Sequence, residues 1–496
     1  MAVEMNEVKK SANQEYDVII IGAGAVGAAA ARALSRYRLR LLILEKESDV
    51  GRGTSSANSA IVHSGYDPVP GSLKARLNVR GNRLFSEVCH ELDVDLKWIG
   101  SLTLALTDED VPVIEELEKR GVRNGVPVEI LDRAAALRAE PNLSPDVRCA
   151  LWAPSAGIVN PFELCVGLVE NALENGAQLR LDEKVLGVVP LAPSGYEVRT
   201  NRGRYRGKVV INAAGVYADE VANGALSEAG LAGKYGIRPR RGEYFVLDHF
   251  DPDYLHHTIF TVPSAKGKGI LVSPTTHGNY LVGPSAEFVE EKDDCSTSGE
   301  TLASVLSAAQ KMVPSIPARQ IIRQFSGIRA VESRGDFVID QPLPGLINLL
   351  GIQSPGLTAA PAIAEEAVKM AAETVPLEEK PDYRPCCRPR VRLHRLSPEE
   401  RAAFVRENPL YGHIVCRCED VSEGEIIDAV RRRCGARTVD GVKRRVRPGF
   451  GKCQGGFCQP EVIRILAREL GVSPEQVRKG SAGSYILAGP MGGETP

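Results

Sequence analysis

The sequence contains no long hydrophobic run. No stretch reaches about 18 uninterrupted apolar residues, and the first apolar segment, VIIIGAG at 18–24, is far too short to cross a bilayer. The opening segment MAVEMNEVKKSANQEYD is polar and lacks the apolar centre of a signal peptide, so a soluble, cytoplasmic chain is expected. An excess of one charge is missing too. Lys and Arg total 61 against 63 Asp and Glu, a formal net charge of -2, and a chain 43% hydrophobic and 25% charged gives no global sign of disorder, of a fibre or of a nucleic-acid partner. Cysteine is sparse, with 11 in 496 residues, too few for a disulfide scaffold. In a reducing compartment, grouped cysteines are more often metal ligands or redox groups, whereas the scattered Cys89, Cys149, Cys165 and Cys295 read as packing residues. The length is too great for one core and suggests about two to four domains.

What is present begins with YDVIIIGAGAVGAAAARALSRYRLRLLILEK at 16–46. An apolar strand turns at glycines, continues as an alanine-rich helix and is followed by a second strand ending in an acid. Gly22 allows the tight turn, Gly24 lets the backbone approach a pyrophosphate, and Gly27 lets helix and strand pack closely. The helix N-terminus favours negative charge, and Glu45 stands where a carboxylate can accept from ribose hydroxyls. The bland alternative is a glycine-rich turn in an ordinary β-α-β unit, and the motif alone does not separate NAD from FAD.

A second apolar strand running into small residues, YRGKVVINAAGVYADEVA at 205–222, would let backbone approach a cofactor. This arrangement resembles the FAD-dependent D-amino-acid-oxidase-like superfamily. Segments 53–82, 238–248, 274–286, 325–340 (FSGIRAVESRGDFVID) and 351–368 (GIQSPGLTAAPAIAEEAV) look like its glycerol-3-phosphate dehydrogenase and L-2-hydroxyglutarate oxidase branch, so that the likeness covers about 15–375. The resemblance implies FAD and an α/β fold in which a Rossmann-like FAD-binding domain (about 15–84, 150–225 and 325–375) is interleaved with an α+β substrate domain (about 85–149 and 226–324). It places Thr54, Ser55, Ser56 and Asn58 beside the flavin, adds Val185, Ala214 and Gly215 to the cofactor contacts, and sets the backbone of Gly356 and Leu357, at a helix start, against the flavin pyrimidine.

A flavin dehydrogenase must present a substrate C–H to the isoalloxazine, remove the hydroxyl proton and hold the substrate's anionic group. His63, in IVHSGYD, suits proton abstraction near neutrality or close flavin contact, the alternative being a histidine that orders its loop. Arg329, in SGIRAVE, resembles the superfamily arginine that binds a carboxylate or phosphate with its planar fork, against a structural ion pair. Lys268 and His277 are weaker candidates for a second anion contact, and Tyr244 for the pocket wall.

The stretch PLEEKPDYRPCCRPRVRLHRL, 376–396, is Pro- and Arg-rich without hydrophobic period and reads as a linker. A small, mostly helical module follows at 397–480, with a tail at 481–496. Ser397 caps PEERAAF, Ser422 with Glu425 forms a capping box, and Pro460 opens PEVIRILAREL. Its loops carry Cys416 and Cys418 as C-x-C, and Cys453 and Cys458 as C-x4-C. Four thiolates suit a [2Fe-2S] cluster, and zinc would be unusual at this spacing though possible in principle. The pattern VCRCEDV and GFGKCQGGFCQP resembles the bacterioferritin-associated-ferredoxin-like domain, which implies [2Fe-2S] on those four cysteines, with Cys434, Cys386 and Cys387 outside the set. Residues 431–452 hold nine Lys or Arg and one acid. Such a run compensates an anionic cluster, docks an acidic electron-transfer partner, or is simply solvated; nucleic acid is not expected.

A flavin with a one-electron centre points to a dehydrogenase that hands electrons to another polypeptide, in a hetero-oligomer, with any membrane association made through that partner. The expected substrate is a small anionic hydroxy compound, sn-glycerol 3-phosphate first, L-2-hydroxyglutarate or another 2-hydroxy acid second, an amino or imino acid third. A reductase that uses NADH to feed the cluster is the reading of a different class.

Overall fold

The apolar run at 15–21 forms β1 (Glu15–Ile21), and the glycine turn leads into α1 (Ala25–Ser35) and β2 (Leu41–Leu44) in a computed structural model that describes residues 14–263 and 269–489. Val18, Ile19 and Ile20 are wholly buried, as befits a parallel strand covered on both faces. Two long helices follow, α2 (Leu73–Glu91) and α3 (Pro161–Glu174), the second capped by Asn160, whose side chain accepts from the N–H groups of Phe162 and Glu163. The chain then adds β3 (Gln178–Arg180) and β4 (Arg204–Asn212). β5 (Ile237–Leu247) and β6 (Ile321–Glu332) pair with each other in a second sheet, and β7 (Leu346–Leu350) returns to the first, followed by α4 (Gly356–Ala371).

The first sheet has the parallel order β3–β2–β1–β4–β7, extended by the antiparallel strands Val185–Pro190, Tyr196–Thr200 and Val338–Leu343. Against it lies a core of small and branched residues from α1, α3 and α4. Alanine and glycine permit the close approach: a Cβ on Gly81 of α2 would stand 2.1 Å from the Thr358 carbonyl oxygen of α4. The second sheet is largely antiparallel and carries its own core around Leu102, Val272, Tyr280 and Met312. Two segments near the expected domain limits, Cys149–Ala153 and β6, are strands of this second sheet.

The C-terminal module contains α5 (Glu423–Arg431), α6 (Val439–Val446) and α7 (Gln459–Leu470), packed about Ile426, Val442, Val462 and Leu466. The Ser422–Glu425 capping box forms, and the Ser397 cap proves to be a box with Glu400 as well. The stretch 376–396 is laid along the first domain: Asn171 Nδ2 donates to the carbonyls of Arg384 and Pro385, Arg392 meets Asp93 at 2.9 Å, and Cys387 is buried. Three arginines of the basic run take part in the same docking. Arg432 bonds Glu170 at 2.9 Å, and Arg444 and Arg445 both bond Asp49 at 2.8 Å. The run is thus divided: Arg432, Arg444 and Arg445 are held by carboxylates of the other domain, whereas Arg431, Arg433, Arg437 and Lys452 stay exposed.

Candidate functional site

The glycine turn opens on a cavity of ≈ 660 Å³ lined by Gly22, Gly24, Glu45, Thr54, Ser55, Ser56, Val185, Ala214 and Gly215. Gly22 has φ +99°, and a Cβ on Gly27 would lie 2.0 Å from the Gly22 carbonyl oxygen, so both positions admit no side chain. Glu45 is buried and already employed: Oε2 accepts from Ala23 N–H at 2.8 Å and Oε1 from Glu47 N–H at 3.0 Å. It braces the turn, and each oxygen keeps a second lone pair for a ribose hydroxyl. Burial raises its pKa. Ser55 Oγ accepts from Ala25 N–H at 2.9 Å, tying the following loop to the helix start. Ser326 Oγ, on the same cavity, is buried without a partner among the described residues. A deep glycine-floored cavity with an acid and an unmet hydroxyl fits an adenine dinucleotide.

The cavity continues, through shared walls at Ala25, Thr54, Ser55 and Ile352, into a smaller pocket of ≈ 130 Å³. Asn58, His63, Tyr244, Arg329, Gly356 and Leu357 all border it, so that His63, Tyr244 and Arg329, from three distant segments, converge. His63 is positioned from α4: Thr358 Oγ1 accepts its backbone N–H at 2.9 Å, and Ser354 Oγ lies 3.2 Å from Nε2. Tyr244 stacks on Phe325 with centroids 4.8 Å apart, its hydroxyl 3.3 Å from Ser59 Oγ. Asn58 commits its side chain to its own turn, donating to the carbonyls of Thr54 and Ser55 and accepting from Ala60 N–H.

His277 is elsewhere. Its imidazole stands 3.5 Å from Asp95, near Arg447, where the cysteine module meets the second sheet; burial first, then the Arg447 charge, hold it well below the usual histidine range. It is a neutral interface residue and does not border the pocket, because its strand-end turn faces the module. Lys268 lies outside the described residues. Sequence reasoning singled out the segments 53–82 and 351–368 but not their Ser59, Gln353 and Ser354, which border the pocket.

In the module, the four cysteines gather in two sulfur pairs. Cys418 and Cys453 are 3.7 Å apart, and Cys416 hydrogen-bonds Cys458. That bond, with the N–H groups of Gly449, Glu419 and Cys418, pulls the Cys416 thiol down to about 6 against burial. Thiolates so disposed, each pair joining the two loops, suit two irons with two sulfurs apiece. Cys434 is apart, buried against Arg445.

Residues 17–370 match the FAD dependent oxidoreductase family and 414–468 the BFD-like [2Fe-2S] binding domain. The chain belongs to the FAD-dependent oxidoreductase family. FAD and a [2Fe-2S] cluster are its cofactors. It is 44% identical to a glycerol 3-phosphate dehydrogenase of Caloramator mitchellensis over 97% of this chain and 99% of the relative. It is 25% identical to a subunit of the anaerobic glycerol-3-phosphate dehydrogenase of Escherichia coli K12 over 93% of this chain and 90% of that one. The FAD-bound L-alpha-glycerophosphate oxidase of Mycoplasma pneumoniae superposes with TM-score 0.72 at 30% identity, covering 75% of this chain and 98% of that one. Among the described residues no helix is long and apolar enough to cross a membrane.

Proposed function

We propose that this oxidoreductase converts sn-glycerol 3-phosphate to dihydroxyacetone phosphate and passes the electrons through its cluster to another protein. The observation that carries the reading is the convergence of His63 and Arg329 on one small pocket continuous with the dinucleotide cavity. FAD held there supplies the hydride acceptor, and the cluster releases electrons one at a time. Arg329 binds the phosphate. Ser354 Oγ, 3.2 Å from Nε2, orients the His63 ring; in the tautomer that carries its proton on Nδ1, Nε2 exchanges this contact for the substrate hydroxyl and takes its proton as the C2 hydride leaves. Tyr244, locked on Phe325, closes the wall and limits water.

The near end-to-end likeness to a glycerol 3-phosphate dehydrogenase supports the substrate. Support for a protein acceptor comes from the module's outer face. Cys418 is exposed there, Phe457 between two cluster ligands is 87% exposed, and Arg417 and Lys452 flank the loops. An exposed aromatic ring between two of the cysteines, with Arg417 and Lys452 exposed on the same loops, fits an acceptor protein with an acidic rim. The chain works in the cytoplasm or at a membrane surface through that partner.

Anaerobic visible spectroscopy of the purified protein, with flavin, iron and sulfide quantified, tests this. Bleaching of the flavin by sn-glycerol 3-phosphate and subsequent cluster reduction are expected. Bleaching by L-2-hydroxyglutarate alone would move the substrate to the 2-hydroxy acids, and bleaching by NADH alone would make the chain a reductase.

A further inference from the structure

The pairing of β5 with β6 sets two arginines face to face. Arg240 is directly opposite Arg329, Gly242 opposite Gly327 and Tyr244 opposite Phe325. Alternate residues of a strand share a face, so Arg240, Gly242 and Tyr244 point to the side on which Tyr244 and Arg329 border the pocket. Gly242 leaves the room: a Cβ there would lie 3.2 Å from Arg329 Nη2, so that guanidinium lies over the glycine.

Like charges directly opposite in a sheet are destabilising, and proteins usually relieve them with a carboxylate. Here none is supplied. Neither Arg240 nor Arg329 makes an ion pair among the described residues, whereas the intervening Arg241, on the other face, meets Asp294 at 2.6 Å and Glu243 at 3.3 Å. Arg240 is half-buried; among the described residues its Nε has no hydrogen-bond partner and Nη2 donates to Gln353 Oε1 at 3.2 Å. Gln353 and Arg329 border the pocket, and Arg240 stands one contact outside its wall, joined to it through Gln353. Burial, then the charge of Arg329, lower the Arg240 pKa, the signature of a cation lacking its counter-ion.

We propose that Arg240 is a second cation of the substrate's anion subsite, pairing with Arg329 so that the pocket selects a phosphate dianion over a singly charged carboxylate. The assignment rests on the substrate pocket identified above and names a specificity residue within it. One guanidinium fork satisfies a carboxylate; two forks side by side match the three terminal oxygens and double charge of a phosphomonoester.

The test is calorimetric titration of the full-length, FAD-loaded protein with inorganic phosphate, and with acetate as the single-charge probe. The wild type is expected to bind phosphate more tightly than acetate. Arg240→Met should weaken phosphate binding by about tenfold or more, the loss of one charged hydrogen-bonding partner, and change acetate binding far less. Should Arg240→Met shed FAD, Arg240→Lys decides: it keeps the charge without the fork, and several-fold weaker phosphate binding is expected. Phosphate binding unchanged in the folded variant, or no preference for phosphate in the wild type, would overturn the proposal. Failure of sn-glycerol 3-phosphate to bleach the flavin, with Arg240-dependent phosphate binding intact, would sink the substrate reading and leave the subsite standing for another phosphomonoester.

Discussion

Asp49 and Arg445 form a buried two-pronged ion pair across the junction of the flavin domain and the cysteine module, with Nη1 to Oδ2 and Nη2 to Oδ1 both at 2.8 Å. Arg444 adds a third bond at 2.8 Å, and Arg445 Nε donates to the Cys434 carbonyl. Removing one member of a buried pair leaves an uncompensated charge and costs about 3–5 kcal/mol. Asp49→Asn should therefore loosen the module, seen as a separate low-temperature unfolding step or as new protease sensitivity within 376–396. A single unchanged transition would show the pair to be dispensable.

The same carboxylate fixes a pH response. Its arginine partners hold Asp49 far below the usual carboxylate range despite burial. A depressed folded-state value means that its stabilising contribution is fully present above the unfolded pKa, about 3.9, and is lost only as pH falls through the folded value. Docking of the module, followed by thermal unfolding from pH 9 down to pH 5, should be flat with respect to this pair. In Asp49→Asn any loss should appear equally across that range; a loss confined to low pH would assign it to another group.

Cys418 and Cys434 separate ligand from packing cysteine. Cys418→Ser breaks a sulfur pair and should strip iron and sulfide together with the visible absorption of the cluster, leaving FAD in place. Cys434→Ser, whose sulfur lies against Arg445 within the buried core, should retain all three. Loss of iron in the second variant would enlarge the ligand set.

The glycine fingerprint, the cysteine loops and the capping boxes were legible because each is local: a turn, a spacing or a cap is written in consecutive residues. The convergence of His63 and Arg329 was legible only through likeness to a family, since nothing in either segment reports the other. Arg240 was invisible because its meaning lies in the β5–β6 register. The roles of Arg432, Arg444 and Arg445 were hidden for a related reason: a run of cations does not disclose that Glu170 and Asp49, hundreds of residues away, stand against it. His277 was misplaced because a motif shows which residue follows which and not which way a turn faces.

Gly81 gives a test of packing behind the site. Its Cβ in an alanine variant would meet the Thr358 carbonyl oxygen at 2.1 Å and the Ala359 Cα at 3.0 Å, forcing α2 and α4 apart. Overpacking of this kind costs about 1–3 kcal/mol. Thr358 also accepts the His63 N–H, so Gly81→Ala should lower the unfolding temperature and slow flavin reduction together. Lower stability with undisturbed reduction would mean that the helices yield without moving His63.

His63→Gln isolates the proton-transfer step. The backbone bond to Thr358 is kept by any side chain, and Asn78 and Asn82 still donate to the His63 carbonyl, so the loop has no reason to unfold. FAD content and phosphate binding should be near those of the wild type. Loss of a positioned general base typically costs about 100- to 10,000-fold, and rapid-mixing measurement of flavin bleaching by substrate should fall within that span. A glutamine variant that bleached at the wild-type rate would leave His63 as a residue that orders its loop, and the hydroxyl proton would have to leave by another group on the pocket wall, with Tyr244 the next to be changed.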